Sequence, residues 1–141
     1  MLEGLTSVEV RVRYAETDQM GVAHHANYLI WCEMARTRHM EQLGVSYRDL
    51  EARGVRLPVT EAHLRYRQAA RYDDLLLVRC WVRDVRSRRV EFGYAVERQA
   101  DGALLATVRT SLTAVDSNHV LTTIPEEVRE LVAPVPDPIR L

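Results

Sequence analysis

YAETDQMGVAHHANYLIWCEMAR, residues 14–36, decides how this chain is read. It starts where a strand pattern ends, crosses a short loop and enters the most apolar helix pattern in the sequence. Asp18 sits in the loop, Gly21 follows, and His24 and His25 stand where the helix pattern begins. A carboxylate beside a helix N-terminus suits carbonyl chemistry. The free N–H groups and the positive dipole end can stabilise an oxyanion, and the carboxylate can attack or activate water. The stretch therefore reads as an active site. Asp also caps turns without any catalytic role, and that alternative stays open on the residues alone.

Upstream, Val8, Val10 and Val12 alternate with Glu9, Arg11 and Arg13, the period of a half-buried strand over residues 8–14. Downstream, a helix is expected over 26–43. Its first half, YLIWC, is apolar all round and should be covered on most of its circumference, while Ala35, His39, Met40 and Leu43 share one stripe. Gly44 is placed to end it, and Ser46, Asp49 and Gly54 read as cap, first turn and stop of a second short helix. Strand patterns then cover 57–67, 75–85, 89–98 and 104–115. In the first of these, Val59, Leu64 and Tyr66 are expected to face inward, with an irregularity between them; Asp101-Gly102 signals a hairpin. Residues 124–132 read as a short helix with Pro125 in its first turn, and APVPDPIRL as an extended or frayed tail. One long helix beside successive antiparallel strands gives a two-layer α+β fold, with the 141 residues as one domain and a core of about 8–132.

Hydrophobic residues make up 47%, charged residues 28%, and the net charge is −1, so nothing draws the chain generally to nucleic acid or membrane. MLEGLTSVEV lacks the parts of a signal peptide, and Cys32 and Cys80 form no CxxC pair, so a cytoplasmic protein with reduced thiols is expected. Every Lys+Arg residue is arginine, which excludes lysine Schiff-base chemistry. His24 and His25 are adjacent and no third ligand has suitable spacing, so neither a metal nor another cofactor is expected.

VRVRYAETDQMGVAHHANYLIWCEMART resembles the opening of the 4-hydroxybenzoyl-CoA thioesterase family, in its Thr17-Asp18, Gly21-Val22-Ala23, His24-His25-Ala26 and Asn27-Tyr28 steps. Arg71-Tyr72-Asp73-Asp74 matches the family's R-x-D-D step, and the resemblance covers about residues 8–132. It implies a hotdog fold, an antiparallel sheet wrapped around the long helix. It also implies a homodimer or homotetramer with active sites at the dimer interface, and hydrolysis of acyl-CoA. On that footing Asp18 is the nucleophile or general base, and the backbone N–H of His25 the main oxyanion donor, helped by Gly21 or Val22. The His25 side chain would orient Asp18, bond a water or line the acyl pocket, or His25 would serve through its backbone alone. The family's aromatic branch tends to carry tyrosine at this position and its short-chain branch histidine, which turns the expected substrate away from 4-hydroxybenzoyl-CoA.

Glu33, on an otherwise apolar stretch, should find a partner in Arg36 or Thr37 and reads first as a structural or dimer-interface acid; the resemblance, since other hotdog thioesterases use a helix acid, keeps it as the second catalytic and substrate-binding candidate. Tyr28, Trp31 and Met34 are candidate acyl-pocket residues that also suit a plain core. Arg86, Arg88 and Arg89, at a strand turn that lies near the CoA phosphates in the family, are candidate phosphate ligands or simply a solvated turn. Two other readings keep the fold. One is a hotdog hydratase or dehydratase, whose D-x-N-P-x-H signature is not found, and the other is a non-catalytic acyl-CoA-binding domain.

Overall fold

The valine alternation builds β1, Leu5–Arg11, in a computed structural model that describes residues 4–141. The first three residues of the segment read against a signal peptide lie outside the described residues. Val10 and Val12 are buried as their spacing demands. The strand stops short of the expected residue 14 because Tyr14–Glu16 winds into a 3-10 turn. There follow α1 (Asn27–Gln42), α2 (Tyr47–Ala52), β2 (Val59–Tyr66), β3 (Leu75–Val85), β4 (Arg89–Arg98), β5 (Leu104–Thr113) and α3 (Glu126–Leu131). The five strands form one sheet in the order β1-β3-β4-β5-β2, with every pairing antiparallel. β1 and β2 are its two edges, so the chain between them must cross the sheet, and α1 makes that crossing packed on β1, β3 and β4.

The buried residues of α1 are Tyr28, Trp31, Cys32, Ala35, Arg36, His39 and Met40, one stripe at helical spacing. Against them stand Leu76, Val78, Val82, Phe92, Tyr94 and Val96 of the sheet. Each large side chain so buried contributes roughly 1.5–3 kcal/mol relative to exposure. The helix is not covered all round, however: Ile30 and Met34 are 53% and 49% exposed. One sheet covers one face, and the opposite face of α1 meets nothing else among the described residues. Glu33 is on that outer face and exposed, and the expected bond to Arg36 or Thr37 does not form. Arg36 turns inward instead, and its Nη1 donates to the Tyr94 hydroxyl at 3.1 Å.

Helix α1 ends as its sequence indicates. Gly44 takes φ +84°, its N–H donates to Glu41 C=O at 3.0 Å, and Val45 N–H reaches back to Met40 C=O at 2.8 Å. Ser46 caps α2 by accepting from Asp49 N–H.

Three expectations change. In β2 only Leu64 packs on the core, while Val59 and Tyr66 are 45% and 48% exposed. The strand is an edge, and its expected irregularity is a register shift between Val59 and Glu61. Pro125 precedes α3 as its cap residue rather than entering its first turn. The C-terminal tail is docked, not frayed. Val135 N–H donates to Val82 C=O at 3.0 Å, and Asp137 accepts from Trp81 Nε1 at 2.8 Å and from Arg83 at 2.8 and 2.9 Å. Trp81 lies on the sheet face away from α1, and a buried indole N–H needs an acceptor, which the tail provides.

Trp81 rests on Gly93, where an added Cβ would stand 2.6 Å from the indole Cε2. Gly93→Ala is therefore expected to destabilise the fold by about 1–3 kcal/mol. Urea unfolding followed by tryptophan fluorescence should show a lower midpoint at an unchanged slope.

Candidate active site

Between β1 and α1 the chain folds back on itself. Thr17 bridges Ala23 antiparallel, Asp18 N–H donates to Val22 C=O at 2.9 Å, and Gly21 N–H donates to Asp18 C=O at 3.0 Å. Gly21 supplies the φ of +78° that closes this turn. The returning arm is fastened to the chain between β2 and β3 by Ala23 N–H on Ala70 C=O at 2.8 Å. The Arg71-to-Asp74 step holds the same region from the other side. The Asp74 carboxylate accepts from Arg71 N–H at 2.9 Å, Val12 N–H donates to Asp74 C=O at 2.9 Å, and Asp73 N–H donates to Val12 C=O at 2.9 Å.

Asp18 is half-buried in this loop. Its Oδ1 accepts from Met20 N–H at 2.9 Å, so it does cap a turn. That bond engages one carboxylate oxygen. The other has no partner among the described residues. At the helix entry Ala26 offers no side-chain cap; Asn27 N–H donates to His24 C=O at 3.0 Å and Leu29 N–H to Ala26 C=O at 3.3 Å. The N–H groups of His25 and Val22 donate to nothing among the described residues. Gly21 differs: its N–H is committed to the loop's own turn, which removes it from the expected oxyanion donors.

Asp18, Val22, His25 and Tyr28 line one cavity of about 290 Å³, together with Met20, Ala23, Tyr66, Arg67, Gln68 and Ala69. Two aromatic rings shape its floor. Tyr28 is buried, meets Trp31, and stands edge-on to Tyr66 with centroids 5.1 Å apart. Its hydroxyl accepts from Ala70 N–H at 3.1 Å, and Tyr66 donates to His25 C=O at 3.0 Å. Burial raises the pKa of both phenols, so they stay protonated. His24 points away from the cavity lining. Its ring packs on His25 at 4.3 Å and its Nδ1 accepts from Ala26 N–H.

The other expected residues are elsewhere. Glu33 and Met34 line a separate groove on the outer face of α1, with Ser7, Val8 and Ile30. Trp31 is core. Arg86, Arg88 and Arg89 lie at the far end of the sheet. Tyr66 pairs with Ala106 and Ala106 with Val96, and from there β4 runs seven residues back to Arg89, roughly 20 Å at strand rise. Arg86 is bonded to Asp84 at 2.9 Å. Among the described residues no three His, Cys, Asp or Glu side chains gather as a metal site, and no helix is long and apolar enough to cross a membrane. Sequence reasoning passed over Glu16, Asn27, Tyr66 and the Arg67–Ala69 rim. An acid two residues before Asp18 was the available signal for the first. Asn27 stood in the Asn27-Tyr28 step, and its bond to the Glu16 carbonyl is what the fold adds; Tyr66 and the Arg67–Ala69 rim enter because the end of β2 and the chain after it reach the start of α1.

An antiparallel sheet curved round one helix, with a carboxylate loop at the helix start, is the hotdog arrangement of thioester hydrolases. Residues 12–132 match the Thioesterase-like superfamily, and the chain belongs to it. Acyl-CoA thioesterase YbgC of Haemophilus influenzae is 34% identical over 112 residues, covering 79% of this chain and 82% of that protein. The structure of DHNA-CoA thioesterase from Staphylococcus aureus superposes with a TM-score of 0.80 at 32% identity, over 84% of this chain and 80% of that one. A 4-hydroxybenzoyl CoA thioesterase mutant complexed with 4-hydroxybenzoyl CoA gives 0.84 at 17% identity, covering 92% and 99%, a likeness of fold alone.

The Tyr66 hydroxyl holds the peptide that follows the His25 N–H. Tyr66→Phe should lower kcat for thioester hydrolysis by about 2–10-fold, the worth of one hydrogen bond. Melting should barely move, because the ring is half exposed. Steady-state thiol release and a thermal melt check both.

Proposed function

We propose that this thioester hydrolase cleaves an acyl-CoA to the free acid and CoA, with Asp18 as nucleophile or general base and the start of α1 as oxyanion hole. One observation carries the reading: an unengaged Asp18 oxygen and the unengaged N–H of His25 belong to residues lining the same cavity. A thioester carbonyl placed there would have its oxygen at the His25 and Val22 N–H groups and its carbon toward Asp18. Direct attack would give a mixed anhydride, which water then opens; base catalysis would send water to the carbon instead. In both routes the CoA thiolate leaves. The His25 imidazole lines the cavity, where it can bond the attacking water.

Tyr28, Tyr66, Met20 and Val22 supply the apolar wall for the acyl group, and Arg67 and Gln68 stand at its rim. Cytoplasmic acyl-CoA is the substrate we infer, handled by one domain spanning the whole chain. We also read the chain as a homodimer or homotetramer. β2 is an edge strand, its residues exposed or half-buried along its whole length, and an open edge of this kind is closed most simply by a two-fold copy. Antiparallel pairing of two β2 strands would set the Val59 end of one beside the Tyr66 end of the other. The partner's turn of Arg86, Arg88 and Arg89 would then approach the cavity, which the same turn in its own chain cannot do.

Asp18→Asn should lower kcat by about a hundredfold to ten-thousandfold for a good acyl-CoA while the fold stays intact. Near-wild-type thiol release would end the assignment. Thiol release without a change in enoyl absorbance distinguishes hydrolysis from hydration, and tight acyl-CoA binding with neither would mark a binding domain. Charge reversal at Arg88 and Arg89 together should raise KM for acyl-CoA severalfold and leave a short thioester lacking the nucleotide unaffected. Equal effects on both would remove the phosphate role.

A further inference from the structure

Glu16 is buried, 7% exposed, two residues before Asp18, and it does not line the cavity. Its Oε1 accepts from Arg13 N–H at 2.8 Å and its Oε2 from Trp31 Nε1 at 3.0 Å. Its backbone C=O accepts from His24 N–H at 2.7 Å and from Asn27 Nδ2 at 2.8 Å. One residue thus ties together the end of β1, the returning arm of the Asp18 loop and the first two turns of α1. Trp31, 1% exposed, is anchored in the core and cannot shift to follow a loose loop. Burial pushes the Glu16 pKa up, but the Arg13 N–H, the indole donor and the Arg13 guanidinium outweigh it and leave it below the usual 4.5. The carboxylate is therefore ionised at neutral pH and accepts on both oxygens.

We propose that Glu16 is a positioning residue for the thioesterase reaction: its carboxylate and carbonyl register the Asp18 loop against the start of α1, so that Asp18 and the His25 N–H address one carbonyl. This rests on the reading of Asp18 and the His25 N–H given above. The physical need is plain. The attacking carboxylate comes from a loop and the oxyanion donor from a helix entry, and a misplacement of about 1 Å between such groups can cost about a hundredfold in rate. Glu16 bonds to both elements and touches neither the cavity nor a reacting atom.

Glu16→Gln tests it. The amide can accept from one of the two donors but turns N–H groups toward the other, so the tie is half broken. The expected result is a fall in kcat of about tenfold to a hundredfold, with KM within about threefold, in protein that circular dichroism shows to be folded. Trp31→Phe removes the indole donor and keeps the ring in the core. It should also lower kcat, and the double variant should lose less than the product of the two single losses, because both act through the one Glu16 carboxylate. Amide exchange across residues 17–24 should speed up in each variant. A folded Glu16→Gln enzyme that keeps kcat within about twofold overturns the proposal, as does a melting-temperature loss with unchanged kcat. Should Glu16→Gln not fold, Trp31→Phe is judged by the same limits. Asp18→Asn, assayed alongside, separates the two ideas: if it stays active the reading of Asp18 fails, whereas Glu16→Gln active beside an inactive Asp18→Asn removes only the positioning role.

Discussion

The seating of α1 on the sheet is the constraint on which the rest depends. Seven residues of the helix are buried on one stripe, and packing at protein density leaves such a stripe one position and one rotation. Once the stripe is seated, the helix N-terminus has a fixed place beside the Asp18 loop, the Tyr66 end of β2 and the chain between β2 and β3. The candidate chemistry needs that fixed place. Backbone N–H groups serve as oxyanion donors only if they are already aimed, since reorientation during the reaction would cost what they contribute.

Polar groups follow from the same seating. A helix that carries Trp31, Arg36 and His39 into a core needs partners for them there, and every one finds a bond, although the buried Arg36 Nε is left without one. Trp31 donates to Glu16 and Arg36 to Tyr94, whose hydroxyl pairs with Thr110 at 2.6 Å. The Thr6 hydroxyl has one proton and gives it to Gln42 Oε1, so the His39 Nδ1, 2.7 Å from the same oxygen, carries the proton of that bond. Burial holds the His39 imidazole below its ordinary pKa and hence neutral. These bonds link α1 to β1, β4 and the Asp18 loop and specify its register more narrowly than apolar contact would. The sheet's outer face uses the same device, with Trp81 donating to Asp137 of the tail.

Much of this was legible from residue patterns. The valine alternation of β1, the period of β3, β4 and β5, the Gly44 stop and the Ser46 cap are local features, and local sterics and hydrogen bonding decide them. The Asp18 loop was visible for the same reason. What misled was any inference about which neighbour a side chain would meet. Glu33 and Arg36 are three apart and within helical reach, yet the stripe carries one inward and the other outward. Tyr66 reads as an inward strand residue, but β2 lies at the sheet edge, and its ring goes to the cavity instead. The tail reads as extended or frayed, and only the fold brings its Asp137 to Trp81 and Arg83.

By itself the sequence determined the elements, their order and the loop that brings Asp18 to a helix start, because periodicity, caps and turns act over a few residues. Tertiary structure alone decided which groups stand together: Tyr66 on the His25 carbonyl, Glu16 between strand exit and helix, Arg86, Arg88 and Arg89 far from the cavity of their own chain. Those relations depend on strand order and on the face α1 buries. Both are set by what packs across the core, between residues tens of positions apart, where no local pattern reaches.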